Sequence, residues 1–215
     1  MLRSVAVEQV RYNMGNQQTN INDQIIANMQ FVQEFVLEGD TFKPWFLLSE
    51  DSTIQTTAEE DRLPQPSDFL MEYEQGSLMI EYEAPAAGSL PSRYCPLKKR
   101  TTDSAYSAFS GDGKPQLYAT SGKYFRLFPR PDKSYYIMMR YYQRDVALTT
   151  DIENLWLEWA ADWLIAETAL KTAHDIGNTD SIKKLEGMVA RARDRVMTED
   201  IARKEVNHED DEEET

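Results

Sequence analysis

Residues 116–144 read QLYATSGKYFRLFPRPDKSYYIMMRYYQR, an aromatic-rich stretch with high β propensity that two turn signals interrupt. Ser121-Gly122 predicts the tight turn of a hairpin between strands at residues 116–120 and 123–128. The proline-containing residues 129–133 predict a second turn, and residues 134–144 then form the longest predicted strand. We therefore expect three strands here, around which the rest of the chain is organised.

The longest of these strands carries aromatic and apolar residues on both faces. Successive side chains of a strand point to opposite sides. One face would present Tyr135, Ile137, Met139 and Tyr141, and the other Tyr136, Met138, Arg140 and Tyr142. We expect one face to pack on helices and the other to meet another part of the chain or another subunit.

The clearest predicted helix follows this strand. Helices are predicted at residues 2–13, 20–38, 151–176 and 179–197. In the third of them Trp156, Trp159 and Trp163 recur at spacings of three and four residues, which favours a structural core over a cofactor site or an aromatic cage. Gly177 ends this helix, so the last two helices should form an antiparallel hairpin.

The last predicted helix has an apolar seam and a basic opposite side. The basic residues are Lys183, Lys184, Arg191, Arg193 and Arg195. Helical periodicity fades after Met197, and residues 209–214 read EDDEEE. Such an acidic block repels itself, so we expect it to be disordered alone and able to order against a basic partner.

These elements predict an α+β fold that is mainly helical. It would be a helical bundle with an inserted β-hairpin or small antiparallel sheet region and a flexible acidic C-terminal tail. Residues 1–197 would form a single domain that contains the β-rich region at residues 44–144, and residues 198–215 would form an acidic C-terminal extension.

Composition and charge restrict the possible partners. The chain has 215 residues, of which 41% are hydrophobic and 28% charged, with a formal net charge of −14. This charge argues against non-specific nucleic-acid binding and against an anionic membrane surface. The single cysteine, Cys95, fits a reducing compartment, and we expect neither a signal peptide nor a membrane span.

The sequence contains no motif that supports catalysis. HExxH, GxSxG, GxGxxG and paired CxxC motifs are absent, and the only histidines are His174 and His208. Carboxylates such as Glu72 and Glu81 are typical of the solvent side of strands. We therefore predict no catalytic, cofactor or metal residues, and no cofactor.

The order of several short segments carries a family resemblance. These are PWFLL at 44–48, LP at 63–64 with DF at 68–69, FRLFPRPD at 125–132, YY at 141–142 and WAADWL at 159–164. In this order they resemble the head-to-tail adaptor proteins of tailed bacteriophages, also called connector or neck proteins. The resemblance covers residues 5–197.

This resemblance implies a structural virion protein rather than an enzyme. About twelve copies would form a ring between the portal and the tail, at the virion neck, after assembly in the host cytoplasm. The partners would be the portal protein, identical subunits and a tail or nozzle protein, and DNA would pass through the channel without specific binding. The candidate partner-binding residues are Tyr136, Met138, Arg140, Tyr142, Arg191, Arg195, Ile201, Arg203 and Lys204.

Other functions stay open at this point. A tail-completion or tail-tube protein would differ in binding the tail tube alone. An intracellular enzyme with an unrecognised acidic site would lose a metal-dependent activity on mutation of Glu72 or Glu81. A nucleic-acid-binding regulator would have to use the few basic clusters, such as Lys98-Lys99-Arg100.

Overall fold

The structure is a computed structural model. It describes residues 1–16, 18–73, 76–86, 88–109, 111–149, 151 and 154–212, without the side chains of Tyr106, Ala108 and residues 204–212. The chain divides into two compact units. Met1–Leu47 and Arg144–Thr215 form one, called here the helical unit, and Leu48–Gln143 form the other, the sheet unit. The predicted single domain over residues 1–197 stays a prediction.

The elements are as follows in chain order. The α-helices are α1 (Arg3–Asn13), α2 (Asn22–Phe31), α3 (Thr102–Ala108), α4 (Leu155–Trp159), α5 (Ala161–Asp175) and α6 (Thr179–Glu212). A π-helix at Val32–Leu37 continues α2, and short 3₁₀ turns occupy Thr19–Ile21 and Trp45–Leu47. The strands are β1 (Leu48–Gln55), β2 (Arg62–Pro64), β3 (Phe69–Glu72), β4 (Leu78–Glu81), β5 (Tyr94–Pro96), β6 (Lys98–Lys99), β7 (Leu117–Ser121), β8 (Tyr124–Phe128) and β9 (Tyr136–Gln143).

Helix α5 is the centre of the helical unit and contacts α1, α2, α4 and α6. The core beside it is aromatic: the ring of Trp156 lies 5.9 Å from that of Trp163 and 5.0 Å from that of Phe46, in both cases edge to face. This geometry is favoured between aromatic rings, and each buried ring removes a large apolar area from water. Trp156 and Trp163 therefore serve core packing, as their spacing predicts, whereas Trp159 is 44% exposed.

The long helix predicted at residues 151–176 is divided into α4 and α5. Ala160 lies between them with a non-helical φ of −135°. Helix α4 has its own N-terminal cap, because the Asn154 side chain accepts a hydrogen bond from the N–H of Leu157 at 3.1 Å. Residues 152 and 153 of the predicted helix lie outside the described residues.

The predicted helix at residues 20–38 changes its pitch at Val32. The N–H of Glu38 donates to the carbonyl of Gln33, five residues earlier, at 2.9 Å, which is the π-helical pattern. The wider turn shifts the inward position by one residue. Leu37 is fully buried. Val36 is exposed, although its spacing from Ile25, Met29 and Val32 predicts that it faces the core.

Two β-sheets make up the sheet unit. The first has the order β1-β9-β4-β5, with β3 also paired to β9, and the second has the order β2-β8-β7-β6. The hairpin predicted at Ser121-Gly122 is present, with Ser121 opposite Tyr124. Gly122 has a φ of 62°, a left-handed conformation that the turn requires and that glycine adopts without strain.

The two sheets share one core. Tyr135, Ile137, Met139 and Tyr141 are all buried, and they pack in one cluster with Tyr118, Phe125 and Leu127 of the second sheet. We expected this face of β9 to pack on helices. It packs on a second sheet instead, whose short strands were not all recognised from the sequence.

The predicted fold class, a mainly helical bundle with a small inserted sheet, is wrong. The fold is α+β with 43% helix and 23% strand, and its described residues form sheets of five and four strands. Strands of two to four residues, such as β3 and β6, are too short to show alternation. Strand β3 forms at Phe69–Glu72 because β9 supplies a partner strand.

The flexible acidic tail was part of the same prediction. Helix α6 runs from Thr179 to Glu212 without a break, beyond the predicted end at residue 197. Ala202, Arg203 and Lys204 are good helix formers, so continuation does not need an apolar seam. None of the described helices has the length and apolarity needed to cross a membrane.

Candidate assembly surfaces

The outer sheet face is the side of β9 that points away from the shared core. It carries Tyr136, Met138, Arg140 and Tyr142, which alternation brings to one side as predicted. Tyr136, Met138 and Arg140 are half-buried, but Tyr142 is buried. The Tyr142 ring packs 5.9 Å from that of Tyr73, so the sheet unit itself covers one end of this face.

Methionines extend the outer sheet face onto the neighbouring strands. Met138 lies directly opposite Met79 of β4, and Met71 of β3 lies opposite Tyr142. Leu48 of β1 flanks Tyr142 from the other side and is exposed, as is Met71. Methionine is flexible and polarisable, and such side chains adapt well to a partner surface.

One ion pair crosses the outer sheet face. Arg140 Nε lies 2.7 Å from Glu50 Oε2 on β1, directly across the strand pair. Both side chains are nearly half exposed, so water screens the pair and its contribution to stability is at most about 1 kcal/mol. The ion pair therefore positions Arg140. A partner protein could still displace Arg140 from Glu50 at little cost in free energy.

The carboxylates considered for an acidic catalytic site have structural partners. Glu72 accepts hydrogen bonds from Lys99 Nζ at 2.9 Å, from the Tyr118 hydroxyl at 3.0 Å and from the Thr120 hydroxyl. Burial, with the nearby Glu72 charge, raises the pKa of Tyr118, so its hydroxyl stays a donor. Glu72 thus ties β3 of the first sheet to β7 of the second.

Glu81 is almost fully buried at the end of β4, on the same side of the strand as Met79. Its Oε2 accepts a hydrogen bond from the backbone N–H of Tyr136 at 3.1 Å. The described residues contain no group of three or more histidine, cysteine or acidic side chains arranged to hold a metal ion. The arrangement of Glu72 and Glu81 therefore indicates cross-strand anchoring.

A groove on the helical unit, called here the α6 groove, brings together two of the predicted basic residues. It has a volume of about 500 Å³ and lies between α1, α5 and α6. Its lining residues are Gln9, Tyr12, Asn13, Asp162, Ile165, Ala166, Met188, Arg191, Ala192 and Arg195. Arg195 pairs with Asp162 at 3.1 Å, and both side chains are largely exposed.

The C-terminal part of α6 packs on aromatic rings of its own unit. The Arg203 guanidinium lies 3.7 Å from the Trp45 ring centroid and 5.6 Å from that of Trp159. Asp200 is buried, and its Oδ1 accepts the N–H of Trp45 at 2.8 Å. Arg203 is thus engaged within the chain, whereas Ile201 is exposed. The Lys204 side chain lies outside the described residues.

An exposed aromatic patch was not predicted. Phe31, Phe35 and Val36 form it at the π-helix, with exposed fractions of 42%, 61% and 36%. The rings of Phe31 and Phe35 are 5.0 Å apart. Gly39 permits the tight end of this helix, since a Cβ there would lie 2.4 Å from the carbonyl oxygen of Phe35. The sequence does contain a signal for this patch. Phe31 and Phe35 are four residues apart, so they lie on one side of the helix, and they do not share the spacing of the core residues Ile25, Met29 and Val32.

Comparison with known proteins gives one family. The family model described as SU10 adaptor protein matches residues 5–207. The matched region includes nearly all of both units. No curated protein matches the chain.

Proposed function

This chain belongs to the SU10 adaptor protein family, and from that premise we propose that it joins the head of a tailed bacteriophage to the tail. Family membership confirms the resemblance to head-to-tail adaptors that the order of sequence segments predicts. The match over residues 5–207 carries the proposal. In this role the protein is a structural component of the virion and not an enzyme.

The proposed assembly is a ring of about twelve copies that stacks on the portal. A subunit of such a ring contacts two neighbouring copies and also the portal and a tail protein. Each stable contact needs an apolar surface. The helical unit carries two such surfaces, the aromatic patch and the α6 groove, and the sheet unit carries the outer sheet face. These surfaces support a protein with several partners.

We assign the outer sheet face to contact with a different protein, the portal or the tail protein. Its residues Met71, Met79 and Met138 are apolar and adaptable, and the Arg140–Glu50 pair supplies polar contacts between Met138 and Tyr142 along β9. The α6 residues Arg191, Arg195, Ile201, Arg203 and Lys204 stay predicted partner residues. Of these, Arg203 would have to leave Trp45 before it could contact another chain.

The net charge suits a channel through which DNA moves. At −14 per copy, a ring repels the phosphate backbone at short range, so DNA would pass without being retained. The same charge makes neighbouring copies within the ring repel one another. Apolar contacts between copies must therefore outweigh this repulsion, and added salt should favour assembly by screening it.

A mass measurement tests the proposal. The full-length chain is measured alone and with rings of its portal protein, by light scattering after size-exclusion chromatography. We expect a complex whose added mass equals many copies of the chain. A monomer in both conditions would contradict the proposal.

Two matched variants test the assignment of the outer sheet face. Met138→Glu places a charge among the apolar residues of this face and should reduce the amount bound to the portal or to the tail protein by at least ~10-fold. Tyr124→Glu places the same charge on an exposed aromatic position of β8 in the other sheet and should not reduce it. Equal binding by both variants would remove the sheet face from the interface.

A further inference from the structure

A closed ring of identical subunits needs two different surfaces on each copy. The contact between neighbours is head to tail, so a surface on one copy must complement another surface on the next. The two must also point in different directions, because each copy lies between two neighbours. The aromatic patch and the α6 groove of the helical unit meet these requirements.

The aromatic patch and the α6 groove lie on opposite sides of α5. Asp162, Ile165 and Ala166 line the groove, whereas Lys171 places its Nζ 5.4 Å from the Phe31 ring. Each residue of an α-helix advances the direction by about 100°, so Lys171, nine positions after Asp162, points about half a turn away. Ile165 and Ala166 point within about 60° of Asp162 on the same basis.

The two surfaces suit each other in polarity. The patch is apolar and exposed, with Phe35 as its most exposed ring. The groove is concave and about 500 Å³ in volume, with Ile165, Ala166 and Met188 among its apolar lining. Aromatic side chains that enter pockets of this size account for much of the affinity of protein interfaces.

The charges around the two surfaces are partly complementary, although Asp162 pairs with Arg195 in the groove and Lys171 lies beside the patch. Glu34 is exposed beside Phe35 on the π-helix. Arg191 and Arg195 are exposed and line the groove. Since copies of charge −14 repel each other, a contact that places Glu34 against Arg191 is favoured over one that brings Glu34 of two copies together.

We infer that neighbouring copies join by insertion of the aromatic patch of one helical unit, with Phe35 foremost, into the α6 groove of the next. This inference rests on the proposed function, because it names the contact that forms the proposed ring. It leaves the outer sheet face free for the portal or the tail protein.

Thiol cross-linking tests this contact in the full-length chain. Cys95→Ala first removes the native thiol, and Glu34→Cys and Arg191→Cys are then introduced together, which leaves Phe35 and the apolar lining of the groove intact. With portal rings present and a short bis-maleimide added, we expect a ladder of covalent oligomers that extends beyond the dimer. An equal mixture of the two single-cysteine variants should stop at the dimer, since each copy then carries one reactive position.

The outcomes separate this inference from the proposed function. Stacked rings without cross-links between positions 34 and 191 would overturn the inference and leave the ring in place. Dimers from either single-cysteine variant alone would show contact between like surfaces and would also overturn it. Failure to form any oligomer with the portal would contradict both.

A pair of charge variants gives an independent readout. Phe35→Asp should weaken ring formation by at least ~10-fold, because a phenylalanine that the contact between copies would bury is replaced by a charge. Tyr82→Asp, at an exposed aromatic position of the sheet unit, should leave it unchanged. Glu34→Arg should also weaken the ring, and Arg191→Glu in the same chain should restore it. Loss of the ring in the Tyr82 variant but not in the Phe35 variant would overturn the inference.

Discussion

The helical unit and the sheet unit each have their own internal contacts, and the contacts differ in how far apart the paired residues lie in the sequence. In the helical unit, Trp156 and Trp163 pack against each other although only seven positions separate them in the sequence. In the sheet unit, β1 pairs with β9, so Leu48 lies opposite Tyr142. Local periodicity therefore reveals the tryptophan-bearing helices of the first unit, while several strands of the second depend on pairings that no local pattern contains.

The two units can also be observed separately. All four tryptophans, Trp45, Trp156, Trp159 and Trp163, belong to the helical unit. Tryptophan fluorescence thus reports on that unit alone. Near-ultraviolet circular dichroism of the tyrosines includes the sheet unit, whose core holds Tyr118, Tyr135 and Tyr141.

The largest expected effect tests the shared core of the sheet unit. Ile137 is fully buried between the sheets, so Ile137→Ala should lower the free energy of unfolding by about 2–5 kcal/mol. Met138→Ala is the matched control, because Met138 is the next residue of the same strand and points to the outer face. It should cost less than half as much. Urea denaturation followed by circular dichroism measures both, and equal losses would mean that the two faces of β9 are equally buried.

A smaller effect tests how α6 is held to the helical unit. Arg203→Ala removes the guanidinium stacked on Trp45 and should lower the free energy of unfolding by about 0.5–2 kcal/mol. Arg203→Lys retains the charge but not the planar group, so it should recover only part of the loss. The emission of Trp45 and Trp159 should change in both variants. Unchanged fluorescence in Arg203→Ala would contradict this packing.

The smallest effect distinguishes the units by pH. Burial raises the pKa of Glu38 above its ordinary value of 4.5, and burial raises the pKa of Asp145 and Glu167 as well. The folded helical unit therefore binds these protons more tightly than the unfolded chain. Its stability should rise as the pH falls from neutral towards 4.5 and gain nothing further from Glu38 below that value.

The sheet unit should respond at lower pH and in the opposite direction. In this unit a hydrogen bond from Arg130 lowers the pKa of Asp112. The stability that the Asp112 carboxylate contributes is therefore present above pH 3.8 and is lost as the pH falls below that value. Urea titrations at several pH values, followed by tryptophan fluorescence, measure the helical response. Glu38→Gln should make this response shallower, because position 38 then no longer titrates, and it should stabilise the protein at neutral pH. A variant with the same pH dependence as the parent chain would exclude Glu38 as the cause.

The sequence predicts the local parts of this fold and misses the long-range ones. The tryptophan spacing and the Ser121-Gly122 turn identify α5 and the β7–β8 hairpin, because their signals lie within a few residues. The extension of this hairpin into a four-stranded sheet escapes prediction, since strands such as β6 have two residues and exist only through partners far along the chain. The π-helix escapes for a different reason: its extra residue per turn breaks the spacing that placed Val36 inside.

The candidate assembly surfaces could also be predicted only in part from the sequence. Alternation along β9 predicts which side chains share the outer sheet face, but not that Tyr73 covers Tyr142. The basic side of α6 predicts Arg191 and Arg195 as a pair, but the groove beside them needs α1 and α5 in place. Arg203 was predicted to bind a partner, and only the folded chain reveals the Trp45 ring beneath it.

Electron microscopy of the full-length chain mixed with its portal rings tests the structural-adaptor role most directly. Side views should show a second ring stacked on one end of the portal. Addition of the tail protein should extend this stack on the side away from the portal. Portal rings without added density, beside separate single copies of the chain, would contradict the assignment of this protein as the adaptor between head and tail.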